Sequence, residues 1–337
     1  MELFLSIILM IIGLILLIKG SDIFVDVGTH IGKMFKMSEI LIGLTIVCIG
    51  TSLPELLLSI SASLNGTSDF LIGNIVGTNI FNMCVILGVI CLMNPLKLLR
   101  QTIRKDMNMS LVASIALFAL LIDTSSNTIS RSDGIILLLF FVIFMYYTFY
   151  EFGEYFRDLR ERKYKDKKQN KVRIENKDKK MFSMKDIKKL SICAIIALLC
   201  IVAIYIGAEL VVNNAVIIAK HFNVSETFIS IAIVAVGTSL PEISTGISAI
   251  KKNRINIAIG NLIGSNMFNT LFVVGCASLI NPIKINTTTL IFDSIVFIIV
   301  CLTLRLFTKK KPEITAMEGF TLLSIYIGYM AFVLYRH

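Results

Sequence analysis

Glu55 and Glu242 each follow a proline inside a long apolar stretch, in the same hexapeptide Gly-Thr-Ser-Leu-Pro-Glu, at residues 50–55 and 237–242. A carboxylate in such a stretch costs several kcal/mol to bury, so its default reading is functional. A protonated glutamate hydrogen-bonded within a helical bundle is the ordinary alternative; it accounts for one such residue far better than for two in one shared context. Proline lacks an amide hydrogen and clashes with the preceding turn, and the glycine loosens that turn. A helix must break or kink there, freeing carbonyl oxygens next to the carboxylate. Thr51, Ser52, Thr238 and Ser239 add hydroxyl oxygens at the same places.

A second pair of motifs follows. Gly73-Asn74-Ile75-Val76-Gly77-Thr78-Asn79 answers to Gly260-Asn261-Leu262-Ile263-Gly264-Ser265-Asn266. The glycines read as small-xxx-small helix packing. Thr78 and Ser265 bring hydroxyls, and Asn82 and Asn269 bring amide oxygens one turn further along the same face. Every candidate ligand is a hard oxygen, which suits Ca²⁺ and Na⁺ and disfavours zinc or copper. The seven cysteines (Cys48, Cys84, Cys91, Cys193, Cys200, Cys276, Cys301) lie in apolar runs without a Cys-x-x-Cys pair and read as packing residues. His30, His221 and His337 are too scattered for a metal site, and no nucleophile–base pair points to an enzyme.

Helices must hold these groups in a bilayer. The chain of 337 residues is 55% hydrophobic and only 17% charged, with a mean hydropathy of +0.81. Apolar runs near the roughly 20 residues needed to cross about 30 Å of hydrocarbon recur along it, with no strand alternation. They predict ten spans at 2–19, 38–64, 69–94, 107–123, 132–152, 188–218, 225–250, 255–281, 287–305 and 315–335. The first run has no basic leader and no cleavage site after it, and is read as a retained helix. With the N-terminus outside, only Arg131, Lys220, Lys284 and Arg336 of the 33 Lys and Arg fall on the outer side. The positive-inside rule therefore predicts both termini outside and the basic loop 153–187 in the cytoplasm. That loop carries most of the net charge of +10. Its basic stretch holds a single aromatic, Tyr164, and it reads as a solvated linker with some attraction for anionic lipid, rather than as a nucleic-acid surface.

The motifs belong to a duplication. Residue 50 maps to 237, an offset of 187, and the same offset aligns Phe81-Asn82 with Phe268-Asn269, Asn94-Pro95 with Asn281-Pro282, Gly20 with Gly207, and Ser38-Glu39 with Ser225-Glu226. A repeated unit with an odd number of spans inserts its two copies in opposite orientations, a transporter signature with the site where the copies meet. The expected fold is an all-α polytopic membrane protein. Its ten transmembrane helices form two inverted five-helix repeats (1–152, with its motif region at 50–82, and 188–337, with 237–269), with helices 2, 3, 7 and 8 broken. Asp22 and Glu209 are also repeat-related and read equally well as interfacial carboxylates or as part of an ion entrance. Phe81, Phe268 and the methionines read as packing.

The paired motifs resemble the two alpha repeats of the sodium/calcium exchangers in the cation/calcium antiporter superfamily, and the resemblance covers nearly the whole chain. It implies antiport of about three Na⁺ for one Ca²⁺ by alternating access, with Ca²⁺ and Na⁺ as substrates, no cofactor and no obligatory protein partner. Glu55 and Glu242 would be the central ligands, flanked by Thr51, Ser52, Thr238 and Ser239. Thr78 and Ser265 would serve sodium sites, and Asn82 and Asn269 would stand beside the central site. The family also implies a part for the carbonyls of Cys48 and Ala235, and sliding of the first and sixth spans as the gate. Many relatives carry Asp where this chain has Asn269, so the departure argues against a potassium requirement. Two carboxylates are neutralised by one Ca²⁺ and left at +1 by three Na⁺, which makes the cycle electrogenic. A compact, prokaryotic-type exchanger of the plasma membrane is expected. The rivals are a proton/calcium antiporter of the same superfamily, whose helices break at a different motif, and a cation channel, which normally rings one pore with equivalent subunits.

Overall fold

A computed structural model of the chain describes residues 2–65, 71–93, 95–97, 106–122, 128–169, 184–222, 235–284, 287–311 and 313–336. The elements in chain order are α1 (Glu2–Met34), α2 (Glu39–Thr51), α3 (Leu53–Leu64), α4 (Leu71–Met93), β1 (Leu96–Lys97), α5 (Asp106–Ile122), β2 (Thr128–Ile129) and α6 (Arg131–Gln169). They continue with α7 (Met184–His221), α8 (Ala235–Thr238), α9 (Leu240–Lys251), α10 (Ile255–Ile280), β3 (Ile283–Lys284), α11 (Thr287–Lys310), β4 (Glu313–Ile314) and α12 (Ala316–Arg336). Among the described residues, seven helices are long and apolar enough to cross a membrane, or eight if the bent pair α2–α3 counts as one span, and α5 is a shorter apolar helix. The protein is an all-α polytopic membrane protein. Residues 66–70, in the second-to-third span junction, and 223–234, at the start of the seventh expected span, lie outside the described residues.

Polarity is inverted relative to a water-soluble bundle. Phe4, Leu139, Val142, Leu199 and Ile327 are exposed, whereas Ser52, Asn82, Glu242 and Asn269 are fully buried. An apolar rim suits lipid, and every polar group inside must find an internal partner or an ion. α4 and α10 form the centre, with 78% of each hydrophobic window buried, against 22% for α1 and α7 and 11% for α12.

Two crossings set this arrangement. α1 and α7 run antiparallel, with Gly13 against Gly207, and Gly20 against Cys200 and Ile204. α2 meets α10 backbone to backbone. A Cβ at Gly43 would overlap the Ile257 carbonyl, and one at Gly260 would overlap the Ile40 carbonyl, so only glycine permits this approach. The short strands pair antiparallel, Leu96 opposite Ile314 and Ile129 opposite Ile283, and tie helix ends together. At the end of α1 nearest the start of α7, Asp26 binds Lys252 at 2.6 Å and Arg254 at 3.1 Å.

Three expectations change. α1 continues to Met34 and α6 to Gln169, well beyond the expected span ends at 19 and 152. Caps, and not the end of an apolar run, terminate a helix. For α1 the stop is Lys36 at φ 59°, with the Met37 N–H returning to the Gly32 carbonyl at 2.8 Å. Helices 3 and 8 are not broken: Leu71–Met93 and Ile255–Ile280 are continuous. Their irregularity is a wide π-helical turn, at Asn82–Ile86 and at Phe268–Val273, and neither contains a proline to sever it.

Candidate functional site

Both hexapeptides produce the same backbone event. Ser52 sits at φ −92°, ψ 6° and Ser239 at φ −92°, ψ 2°, each separating a short helix from one whose first turn holds proline and glutamate. The bend between α2 and α3 is 45°. Pro54 and Pro241 cannot donate to the carbonyls of Gly50 and Gly237, which lose their helical partner at the break. Glu55 and Glu242 thus stand at helix N-termini, where the helix dipole favours a negative charge, across from freed carbonyls.

The structure brings the predicted residues together across the two halves. Thr51 Oγ1 is 3.4 Å from Ser265 Oγ, and Thr78 Oγ1 is 3.4 Å from Thr238 Oγ1. These two contacts exchange under the offset of 187, since 51 maps to 238 and 78 to 265. Ser52 Oγ donates to Glu242 Oε1 at 3.4 Å, a direct link from the first break to the second carboxylate. Asn82 Nδ2 donates to Asn266 Oδ1 at 3.1 Å, joining α4 to α10 at the π turn. Thr51, Ser52, Glu55, Thr78, Asn82, Ser239, Glu242, Ser265 and Asn269 are all buried, and Thr238 is half-buried.

Many of these buried oxygens have no protein partner. Both carboxylate oxygens of Glu55, Oε2 of Glu242, Ser239 Oγ, Asn82 Oδ1 and both amide atoms of Asn269 find no hydrogen-bond partner among the described residues. Leaving such groups buried and unmatched is expensive. Among the described residues no basic side chain pairs with either glutamate, and the ion pairs involve Asp26 and Glu313. Two carboxylates with neutral oxygens around them match a hard cation. Among the described residues no group of three or more His, Cys, Asp or Glu could hold a transition metal. A cavity lined by Met83, Leu87, Met107, Ile259 and Leu304 is apolar and includes neither glutamate.

Other expected participants stand elsewhere. The Asp22 backbone carbonyl accepts from Lys252 at 2.6 Å, and Glu209 is held by the Tyr205 hydroxyl at 3.1 Å. The Cys48 carbonyl accepts the Ser52 N–H at 3.0 Å and faces the Thr51 hydroxyl at 3.3 Å. Phe81 packs edge-on against Tyr326, and Phe268 stacks on Phe272, as packing residues do.

Sequence reasoning quoted Asn79, Asn261 and Asn266 within the motifs without giving them a task, and passed over Thr245 and Thr270. Asn79 Nδ2 donates to Thr270 Oγ1 at 2.8 Å, and Asn266 Nδ2 to the Asn79 carbonyl at 3.2 Å. Asn261 bridges Thr51 and Thr245. The available signal was a run of asparagines in an apolar span, each needing a buried partner.

Residues 5–150 and 192–335 match the sequence profile of the family described as sodium/calcium exchanger protein. The chain belongs to that family. It is 32% identical to the sodium/calcium exchanger MaX1 of Methanosarcina acetivorans, covering 97% of this chain and 98% of that one. It is 28% identical to the inner membrane protein YrbG of Escherichia coli over 87% of each. Among solved structures it resembles the sodium-calcium exchanger NCX_Mj soaked with Na⁺, at a TM-score of 0.78 and 29% identity, over 98% of this chain and 99% of that one. Membership in this family makes the chain a transporter rather than an enzyme.

Proposed function

We propose that the protein is a secondary active antiporter that exchanges Na⁺, about three, for one Ca²⁺ by alternating access. The observation that carries this reading is the exchanged pair of contacts, Thr51 with Ser265 and Thr238 with Thr78, around two buried and uncompensated carboxylates. A site assembled equally from two copies of one unit suits a machine that opens to either side in turn. The ten spans form two inverted five-span repeats, 1–152 and 188–337, around it. Glu55 and Glu242 hold the central ion with Asn82, Asn269 and the break carbonyls, and Thr51, Ser52, Thr78, Thr238, Ser239 and Ser265 supply the remaining oxygens. Relatives named as sodium/calcium exchangers, one solved with Na⁺ and Sr²⁺ soaks, support the choice of ions.

With two carboxylates, the Ca²⁺-loaded site is neutral and the site loaded with three Na⁺ carries +1, so exchange moves charge. Asn269 removes the carboxylate associated with potassium-dependent relatives, and exchange is K⁺-independent. The protein sits in the plasma membrane with both termini outside and the 153–187 loop in the cytoplasm.

The test is ⁴⁵Ca²⁺ uptake into Na⁺-loaded proteoliposomes diluted into choline, K⁺ or proton-gradient buffers. Uptake that requires internal Na⁺ and ignores K⁺ is expected. Uptake driven equally well by a proton gradient without Na⁺ would replace the coupling ion, and Ca²⁺ current without saturable coupling would indicate a channel.

A further inference from the structure

A line of hydrogen bonds runs from Ser265 through Thr51, Asn261 and Thr245 to the carbonyl of Pro241, and its direction is fixed at one end. The Thr245 hydroxyl donates to the Pro241 carbonyl at 2.8 Å, with the Glu242 carbonyl at 3.2 Å as its other acceptor. A hydroxyl has one proton, so toward Asn261 it can only accept. The Asn261 amide accordingly presents Nδ2 to Thr245 at 3.2 Å and turns Oδ1 toward Thr51 at 3.1 Å. Thr51 must then donate to that oxygen, the nearest of its acceptors at 3.1 Å, ahead of the Cys48 carbonyl at 3.3 Å and the Glu242 carboxylate, which are also protein groups. Ser265, 3.4 Å from Thr51, meets an oxygen whose proton is already committed. Thr51, Thr245, Asn261 and Ser265 are each at most 1% exposed, so bulk water does not compete for these bonds.

We infer that Thr245 and Asn261 are positioning residues of the cation site, which commit the Thr51 hydroxyl proton to the protein so that Thr51 offers an ion only oxygen lone pairs. The inference rests on the antiporter reading and adds to it two residues that touch no ion. A hard cation is bound by lone pairs and repelled by an O–H dipole aimed at it. Were the Asn261 amide reversed, Nδ2 would donate to Thr51 and occupy a lone pair. The Thr245 anchor, one turn after Glu242, opposes that reversal. At the repeat-related position the first half has Leu58, which is 43% exposed and cannot anchor an amide. The polarity of this relay is therefore a property of the second half, and it acts on the Thr51–Ser265 side of the site.

The experiment is Na⁺-driven ⁴⁵Ca²⁺ uptake by the full chain in proteoliposomes, for Thr245→Val and Thr245→Ser, each alone and with Thr51→Ala. Thr245→Val keeps the shape and loses the anchor. It should raise half-saturating Ca²⁺ by about 2- to 10-fold, the range for one hydrogen bond, with the rate at saturating Ca²⁺ near that of the parent. Thr245→Ser should restore the parent value. With Thr51→Ala present, Thr245→Val should add nothing, because there is no hydroxyl left to orient. Thr245→Ala removes the same hydroxyl, gives the same shift, and replaces the valine if that chain does not assemble. Unchanged half-saturation in Thr245→Val, an equal shift in Thr245→Ser, or a full shift on top of Thr51→Ala would each overturn the relay. Glu55→Gln is run alongside: if it still exchanges, the cation site itself is misassigned, whereas its failure beside an unchanged Thr245→Val sinks the relay alone.

Discussion

Replacing Asn269 with Asp adds one carboxylate to the site with almost no change of shape. Asn269 is fully buried and neither amide atom has a hydrogen-bond partner among the described residues, so the substitution breaks no hydrogen bond there. Its effect is on charge. On the proposed exchange of three Na⁺ for one Ca²⁺, two carboxylates would leave the Ca²⁺ form of the parent neutral and the Na⁺ form at +1; with the introduced carboxylate ionised these would become −1 and zero. The net charge per cycle is unchanged, but the voltage-sensitive half of the cycle moves from the Na⁺ limb to the Ca²⁺ limb. One charge crossing the full field is worth about 2.3 kcal/mol per 100 mV. With a symmetric barrier, that is roughly a sevenfold change in rate per 100 mV. The assay is self-exchange in proteoliposomes clamped with K⁺ and valinomycin, Ca²⁺ against Ca²⁺ and Na⁺ against Na⁺, at alkaline pH. Ca²⁺ self-exchange should be flat with voltage in the parent and steep in Asn269→Asp, with the Na⁺ limb reversed. Steep voltage dependence of Ca²⁺ self-exchange in the parent chain would refute the two-carboxylate count.

Other consequences follow from the same geometry. Pro54→Ala returns an N–H to the Gly50 carbonyl and relaxes the bend, so thermal stability in detergent should hold or rise while half-saturating Ca²⁺ rises about tenfold or more. Gly260→Val forces a side chain into the Ile40 carbonyl and should cost at least about 1–3 kcal/mol in stability, read from melting in detergent, with loss of transport. Asp26→Asn breaks the bridge to Lys252 and Arg254, but Asp26 is 55% exposed, so stability should change by less than about 1 kcal/mol and by less still in high salt.

The parts of this molecule written in residue type were legible before the coordinates. Proline, glycine and an intramembrane glutamate carry their own meaning, and both breaks fall at the serine of each hexapeptide with matching dihedral angles. The duplication marked which residues are equivalent, and the contacts Thr51–Ser265 and Thr78–Thr238 join the two halves; which residue meets which was not written in it. Features that depend on the partner helix were not legible. The π turns at Asn82 and Phe268 have no proline or glycine inside them; they widen a helix to place an amide, which no local propensity reports. Asn261 meets Thr245 from another helix, 16 residues later in the chain, a pairing that neither segment's own sequence announces. The ends of α1 and α6 escaped because hydropathy marks where lipid stops and says nothing of where a helix stops.

The central claim is that Glu55 and Glu242 hold one cation jointly between the two halves. Equilibrium ⁴⁵Ca²⁺ binding to the purified chain in detergent tests it most directly, for the parent, Glu55→Gln and Glu242→Gln. The account predicts a single Ca²⁺ displaced by Na⁺ in the parent, and loss of that binding in each variant while the melting temperature holds or rises. Undiminished Na⁺-sensitive Ca²⁺ binding in either variant would contradict it.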